Sequence, residues 1–313
     1  MIQGVSSADE MFLSALNQTE NRAAQAEREI GSGTKLSTPS DGPDIIGPAL
    51  SLHSQLAQTT QIATNLGMFT SETDAAEQAV SNAVQTLQQA NTLGTQAATE
   101  TCTPEERQSL ASQVDASIQQ VVASANTQTA GRYLFSGDTD QVAPYTIDAS
   151  GNVSGYNGSA STRQAMAPNG STFPIARSGQ EIFEAPGGSV LGALADLKAA
   201  LLNGPTVAQG DPQYDTQYQA QTTAITNALG EMSQAGDQLN QQLAFYGVVQ
   251  NNVANATDAA QTLEVNQRTQ LSSLTDADIT TDAIELTQAN TQRDASLSAR
   301  AKVPTNTLFD YLA

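Results

Sequence analysis

The chain has 313 residues, which is enough for about two or three domains. Only 39% of the residues are hydrophobic and 4% aromatic, with no tryptophan, so the composition favours thin cores between helices over the aromatic-rich core of a compact enzyme. The formal net charge of −20 repels phosphate, so neither nucleic acid nor an anionic membrane is expected as a partner.

The amino-terminal residues MIQGVSSADEMFLSALNQ contain neither the basic nor the apolar stretch of a cleaved signal peptide. No run in the sequence approaches the ~18 apolar residues that a membrane-spanning helix needs. The lone Cys102 cannot form an intramolecular disulfide. If the chain is exported, we therefore expect a route other than an ordinary cleaved signal.

Residues 1–36 are predicted to form a helix with a sparse apolar face. The members of this face lie one or two helical turns apart: Phe12, Leu16, Ala23, Ala26 and Ile30. Turn-forming residues at 37–43, STPSDGP, are predicted to end the helix. Ordering a residue costs about 1–2 kcal/mol, and this face buries too little to offset it, so we expect this end to be loose in the free monomer.

The next stretch repeats apolar and small residues at alternating spacings of three and four, which predicts a long helix that approaches its neighbours closely. The series is Phe69, Thr73, Ala76, Val80, Ala83, Leu87, Ala90, Gly94 and Ala97. The sequence Thr103-Pro104-Glu105-Glu106 then has the pattern of a capping box, so a new helix is predicted to begin at Pro104.

The middle of the chain, from Tyr133 to about Gly210, is rich in turn-forming residues and is predicted to contain a small β insertion. Four short segments are candidate strands, namely 133–135, 145–147, 173–176 and 181–183. Asp148-Ala149-Ser150-Gly151 and Tyr156-Asn157-Gly158 are candidate hairpin turns. A short helix with Val190, Leu194, Leu197 and Leu201 on one face is predicted to follow.

The carboxyl-terminal part has the strongest periodicity, an unbroken heptad series from Ile225 to Leu274. Its large members are Leu229, Met232, Leu239, Leu243, Tyr246 and Val253. At about 1.5 Å per residue this segment forms a helix of roughly 75 Å. Together with the seam residues Phe69, Val80 and Leu87, it predicts an antiparallel bundle of long helices.

A weaker turn signal lies at 273–276. The residues after it resemble the first 36, since they favour a helix and contain few apolar side chains. The predicted breaks lie at similar distances from the two termini, so we expect the two end segments to pair as a coiled coil and to pack in an assembly. The residues predicted to do so are Phe12, Leu16, Ala23, Ile30, Ile279, Leu286, Leu297, Leu308, Tyr311 and Leu312.

The predicted fold is therefore mainly α with a small β insertion. Three domains are expected: a terminal-helix core domain of residues 1–42 and 276–313, a long-helix bundle domain of residues 43–132 and 187–275, and the inserted β-rich domain of residues 133–186.

No catalytic, cofactor or metal site is predicted, so the chain is not expected to be an enzyme. His53 is the only histidine, and a single histidine makes neither a metal cluster nor a catalytic triad. Cys102 has no basic residue close in sequence to activate it. The carboxylates Asp276, Asp278, Asp282 and Glu285 do not have the spacing of a calcium-binding loop.

Both ends resemble the flagellin family, which includes the flagellar hook-associated proteins. Residues 30–43, IGSGTKLSTPSDGP, are similar to the family pattern I-x-T-G-K-R-x-x-x-P-S-D-D-P, with departures at Gly42 and at the Gly33-Thr34 pair before Lys35. The closing segment, from Leu274 through residues 308–312, LFDYL, resembles the last helix of the family.

The middle segment resembles the branch of the family that joins hook to filament. The similar strings are GRYLFSG at 131–137, Pro144-Tyr145, Tyr156-Asn157-Gly158 and GQEIF at 179–183. The resemblance implies an inner core domain of paired ends, an outer β-rich domain, and secretion through the flagellar export apparatus to the bacterial flagellum. It also implies assembly into a ring between hook-associated, flagellin or hook subunits, and an export chaperone on the last helix.

Two alternatives remain open at the level of sequence. One is a filament flagellin with a small outer domain. The other is a flagellin-like surface protein that binds polysaccharide on a platform of aromatic residues, for which the candidates are Tyr133, Tyr145, Tyr156, Phe173 and Phe183.

Overall fold

The computed structural model describes residues 7–36, 42–99, 102–207 and 209–302. Its seven helices in these ranges are α1 (Ser7–Ser32), α2 (Pro43–Ala97), α3 (Pro104–Ala125), α4 (Gly179–Phe183), α5 (Val190–Leu202), α6 (Tyr214–Thr275) and α7 (Ile279–Ala301). Its strands are β1 (Gln128–Thr129), β2 (Arg132–Tyr133), β3 (Gln164–Met166), β4 (Thr172–Pro174), β5 (Glu184–Ala185) and β6 (Gly188–Ser189). The strands pair antiparallel as β1–β2, β3–β4 and β5–β6. This confirms the prediction of a mainly helical fold with a small β content.

The chain divides into two compact units. We call residues 1–59 and 263–313 the terminal unit and residues 60–262 the bundle unit. Helices α2 and α6 contribute residues to both units. None of the helices in the described ranges is long and apolar enough to cross a membrane.

One hydrophobic core of the bundle unit lies between α2, α3, α5 and α6, and a second lies where α2 and α6 meet β3. Small side chains let these helices approach closely, as the alternation of large and small residues predicts. A β-carbon placed on Gly94 of α2 would lie 2.8 Å from Cδ2 of Leu229 and 3.1 Å from the side chain of Leu197. Gly94 therefore lies where α2 approaches both α5 and α6 closely.

Helix α3 begins where the capping pattern predicts. The Thr103 hydroxyl accepts a hydrogen bond from the Glu106 N–H at 3.2 Å, and the Glu106 carboxylate accepts one from the Thr103 N–H at 2.8 Å. Pro104 occupies the first turn, where its missing N–H has no intrahelical partner to lose.

Helix α6 is continuous over 62 residues, so the predicted long helix is present. The predicted seam residues of the bundle fall into two groups. Val80, Leu87, Met232, Leu239, Tyr246 and Val253 are buried. Phe69, Leu229 and Leu243 are half-buried, and Ala228 and Gln242, each one residue before a predicted position, are buried instead. The buried stripe on α6 is thus broader than one a/d seam.

The middle segment contains less strand than the sequence predicts. Of the candidate strand 133–135 only Tyr133 is in a strand, and of 145–147 only Ile147 pairs, in a single bridge with Val153. The candidate turn at 148–151 is present, since the Gly151 N–H donates to the Asp148 carbonyl at 3.0 Å.

The prediction of a strand at 181–183 was wrong, because these residues belong to the short helix α4. Ser178 caps this helix by accepting a hydrogen bond from the Glu181 N–H at 3.3 Å. A short apolar run can form either a strand or a helix. Here the N-cap Ser178 favours the helix. The predicted turn at 156–158 is not a hairpin turn either, because no pair of strands flanks it.

Aromatic side chains of the middle segment belong to the same core as the helices. Phe135 and Phe183 meet edge to face with ring centroids 5.7 Å apart, and Tyr145 lies 6.2 Å from Phe183. All three are buried. The Tyr156 hydroxyl donates to the Phe135 carbonyl at 2.8 Å.

Candidate assembly interface

The two chain ends pair in the described part of the terminal unit, with α1 packed antiparallel against α7. Arg22 Nη2 donates to Gln292 Oε1 at 2.6 Å in the middle of the pair. Nearer the tip, the Arg300 guanidinium forms an ion pair with Asp9 and lies 5.7 Å from the centre of the Phe12 ring. Contacts at these separated points fix one alignment of the two helices.

The seam between the helices is thin. Over residues 9–32 of α1 only Thr19 and Ala26 are buried, and the predicted residues Phe12, Leu16, Ala23 and Ile30 are half-buried. On α7 the buried residues are Asp282 and Ala289, with the predicted Leu286 half-buried. The prediction that the ends bury little apolar surface agrees with this arrangement.

Several large apolar side chains of the same two helices face outward. Ile279 is 56% exposed and Leu297 47% exposed, although the sequence places both in the pairing set. Others are equally open: Met11, Leu13 and Ile284. When a mainly polar helix exposes several large apolar side chains, that surface is typical of one that another protein covers. The remaining predicted residues, Leu308, Tyr311 and Leu312, lie outside the described residues.

A short backbone clasp joins the end of α1 to the start of α7. We use the word clasp for residues 33–35 together with residues 275–277. The Lys35 N–H donates to the Thr275 carbonyl at 2.7 Å, and the Ala277 N–H donates to the Gly33 carbonyl at 3.0 Å. Thr34 and Asp276 thereby form an isolated antiparallel bridge.

The local geometry of both helix ends leads the chain into this clasp. Gly33 has φ +72° and its N–H donates to the Glu29 carbonyl at 2.8 Å, so it closes α1 in the left-handed conformation that favours glycine. On the other side Asp278 caps α7. Hydrogen bonds from Thr281 and Thr280 to this carboxylate hold the pKa of Asp278 below its usual value.

Two buried oxygen atoms of the terminal unit have no hydrogen-bond partner among the described residues. They are Oδ2 of Asp282 and Oε1 of Gln267. Asp282 is 8% exposed and Gln267 6% exposed. A buried acceptor without a donor costs free energy, so these two atoms reduce what packing contributes in this unit.

The described residues offer no constellation that suggests catalysis. No three His, Cys, Asp or Glu side chains in these ranges group as metal ligands do. His53 is exposed on α2. Burial raises the pKa of the Cys102 thiol, which opposes formation of the reactive thiolate.

Models of two protein regions match the chain. The bacterial flagellin N-terminal helical region matches residues 7–140, and the bacterial flagellin C-terminal helical region matches residues 229–312. The first region includes α1, α2 and α3, and the second includes most of α6 and all of α7. The unmatched residues between them contain β3 to β6, α4 and α5.

One curated relative is the flagellar hook-associated protein 3 of Salmonella typhimurium, which is 26% identical over 175 residues. The match covers 56% of this chain, and the chain spans about half of the relative, 54% of its length.

Two solved structures have a similar fold. FlgL of Xanthomonas campestris is 19% identical with a TM-score of 0.60, over 70% of this chain and 98% of that one. The flagellar junction protein FlgL of Legionella pneumophila is 15% identical with a TM-score of 0.52, over 70% of this chain and 99% of that one.

Proposed function

This chain belongs to the bacterial flagellin family, and from that premise we propose that it is a structural subunit that joins the flagellar hook to the filament. In this role copies assemble into a ring through their paired chain ends. Hook-associated, hook and flagellin subunits are the neighbours of that ring. The subunit is secreted to the extracellular flagellum, and an export chaperone binds its last helix beforehand.

Two features of α1 and α7 together support the proposal most strongly. The helices bury little apolar surface between them, and they expose several large apolar side chains to solvent. A pair of helices that buries mainly Thr19, Ala26 and Ala289 between its members gains little from its own packing. The same helices expose Met11 and Ile279. Contacts with further subunits would bury this surface, and assembly would then stabilise the ends.

The names of the relatives favour the junction over the rest of the flagellum. The name of hook-associated protein 3 of Salmonella typhimurium places that protein at the hook, and the name of the junction protein of Legionella pneumophila places that one at a flagellar junction. We propose, from the structural protein family that matches the chain, that this protein is not an enzyme.

The three expected domains, which are the terminal-helix core, the long-helix bundle and the segment 133–186, remain part of the proposal. The alternative of a polysaccharide-binding surface is less favoured. Of the candidate platform residues, Tyr145 and Phe183 are buried, and Tyr156 uses its hydroxyl on the backbone. A stacking platform needs ring faces that are open to the sugar.

Immunogold labelling of whole flagella tests the junction role against that of a filament flagellin. The epitope tag is placed in the exposed turn at 148–151, which leaves both chain ends intact. We expect a single label on each flagellum, at the boundary of hook and filament. Label distributed along the filament would show a filament subunit and overturn the proposal, and so would label confined to the cell surface.

A further inference from the structure

We propose that Asn203 is a site of spontaneous covalent modification, at which the side-chain amide loses ammonia and becomes a carboxylate. The sequence contains three Asn-Gly pairs, at residues 157–158, 169–170 and 203–204. They differ in how firmly the surrounding residues hold the groups that react. This inference goes beyond the proposed function and does not depend on it.

The reaction uses two groups of the pair itself. The backbone nitrogen of the glycine loses its proton and attacks Cγ of the asparagine. The bond from Cγ to the side-chain nitrogen then breaks, and ammonia leaves with that proton. Water opens the resulting five-membered imide to aspartate or to isoaspartate. Glycine favours the attack because it has no side chain and restricts the backbone least. The reaction therefore needs a free glycine N–H and a backbone that can turn.

Two of the three pairs are held away from this reaction. The Gly170 N–H donates to the Ala167 carbonyl at 2.9 Å, so the attacking nitrogen of that pair is engaged. A hydrogen bond that must break first slows a step about fivefold. Gly158 is packed so closely that a β-carbon there would lie 2.9 Å from Cα of the buried Ser136. The backbone after Asn157 therefore has little room to turn.

The third pair lacks these restraints. Asn203 is exposed and follows the last turn of α5. Among the residues that the structure describes, none forms a hydrogen bond with the Asn203 side chain or with the Gly204 N–H. A β-carbon on Gly204 would lie 3.3 Å from the nearest atom, which belongs to the Gln221 side chain. The reacting groups of this pair are therefore the least restrained of the three.

The product adds a negative charge at a point that already carries two. Asn203 follows the carboxyl end of α5, which is the negative end of the helix dipole. Asp196 and Glu231 line the same cleft as Asn203. Burial and the nearby Asp196 carboxylate raise the pKa of Glu231, as expected where carboxylates repel each other. We therefore expect the modified chain to be less stable at the end of α5.

Peptide mapping by mass spectrometry of the full chain, aged at mildly alkaline pH, tests the site. Loss of the amide raises the mass of a peptide by about 1 Da. We expect the peptide with Asn203 to gain this mass at least about fivefold faster than those with Asn157 and Asn169. The control is the same chain in urea, where the three pairs should react at similar rates. Equal rates in the folded chain, or a slower rate at Asn203, would overturn the assignment.

The variant Asn203→Asp carries the charge of the product without ageing, and Asn203→Gln is its neutral control. We expect the Tm of Asn203→Asp to lie about 1–3 °C below that of Asn203→Gln, the shift that a charge at the wrong end of a helix predicts. Asn169→Asp, at an exposed turn, should keep the Tm of the wild type. Equal Tm values for the two Asn203 variants would overturn the expected loss of stability.

Discussion

Arg107 on α3 donates a hydrogen bond from Nη1 to Oε1 of Gln221 on α6 at 3.0 Å, and the two side chains are 3% and 4% exposed. The guanidinium also donates to the carbonyl of Ala97, the last residue of α2, and Gln221 donates to the carbonyl of Ala200 in the last turn of α5. No carboxylate among the described residues pairs with this buried cation. The hydrogen bonds of these two side chains therefore connect the four helices α2, α3, α5 and α6 at one end of the bundle unit.

Replacing Gln221 with leucine should destabilise the bundle unit. The substitution leaves Arg107 with one acceptor fewer and the Ala200 carbonyl without its donor, and buried polar groups left unpaired cost about 1–3 kcal/mol each. We expect urea unfolding to show a loss of about 2–4 kcal/mol. The control Gln219→Leu, at an exposed position on the same helix, should change the free energy of unfolding by less than about 0.5 kcal/mol. Equal losses in the two variants would contradict the role given to the buried contact.

Glu72 is predicted to anchor the middle segment to α2. Its carboxylate is 7% exposed and accepts hydrogen bonds from Arg132 at 2.6 Å and from Arg163 at 2.7 Å. Glu72→Gln leaves two guanidinium groups around a neutral amide. Because the arginines are partly open to water, we expect a loss near the low end for a buried ion pair, about 3 kcal/mol, in urea unfolding. Asp237→Asn, at an exposed position, is the control. A free energy of unfolding equal to that of the wild type would show that the ion pairs of Glu72 with Arg132 and Arg163 do not stabilise the fold.

Two glycines of α2 should respond in opposite directions to the same substitution. Gly67 has open space where a β-carbon would lie, so Gly67→Ala should stabilise the helix by about 0.5–1 kcal/mol through lower backbone entropy in the unfolded chain. Gly94→Ala places its methyl 2.8 Å from Leu229, so we expect the strain of overpacking, about 1–3 kcal/mol, to exceed that gain. Thermal unfolding of both variants measures the difference. A Gly94→Ala variant as stable as Gly67→Ala would show that the helices have room at this point.

The capping box of α3 should make stability depend on pH. Hydrogen bonds from the Thr103 N–H and hydroxyl lower the pKa of Glu106 from its ordinary 4.5. A carboxylate whose pKa is lower in the folded state stabilises that state above the unfolded pKa, and the effect is lost as the pH falls through the folded pKa. Wild type should therefore exceed Glu106→Gln in stability at pH 7, and the difference should narrow as the pH falls through the lowered pKa of Glu106.

The matched control for the pH dependence is Glu105→Gln, which removes a charge from the same turn and leaves the cap in place. Its difference from the wild type should vary less between pH 7 and pH 3. If the two variants have the same pH profile, charge near the helix end and not the capping hydrogen bond is responsible.

Periodic patterns and caps made much of this fold predictable. The heptad series ending at Leu274 predicts α6, and the helix ends at Thr275. The Thr103–Glu106 pattern predicts the start of α3. Both signals are local, since they depend on side chains within a few helical turns of each other. They can therefore be recognised in the sequence without knowledge of the tertiary structure.

The clasp could not be predicted, because two backbone hydrogen bonds between residues 33–35 and 275–277 leave no side-chain pattern in either segment. The outward positions of Ile279 and Leu297 escaped prediction for a related reason. A sparse apolar face fits several helical registers, and only the partner helix decides which side chains it covers. In a family of assembling subunits such outward apolar residues are also the ones expected to meet other copies.

Electron microscopy of cells that lack this protein tests the junction role most directly. The strain is complemented with the full chain or with a chain that lacks residues 1–36 and 277–313. We predict that the deletion strain keeps its hooks, bears no filaments and sheds filament protein into the medium, and that only the full chain restores filaments. Normal filaments in the deletion strain, or their restoration by the truncated chain, would contradict the account.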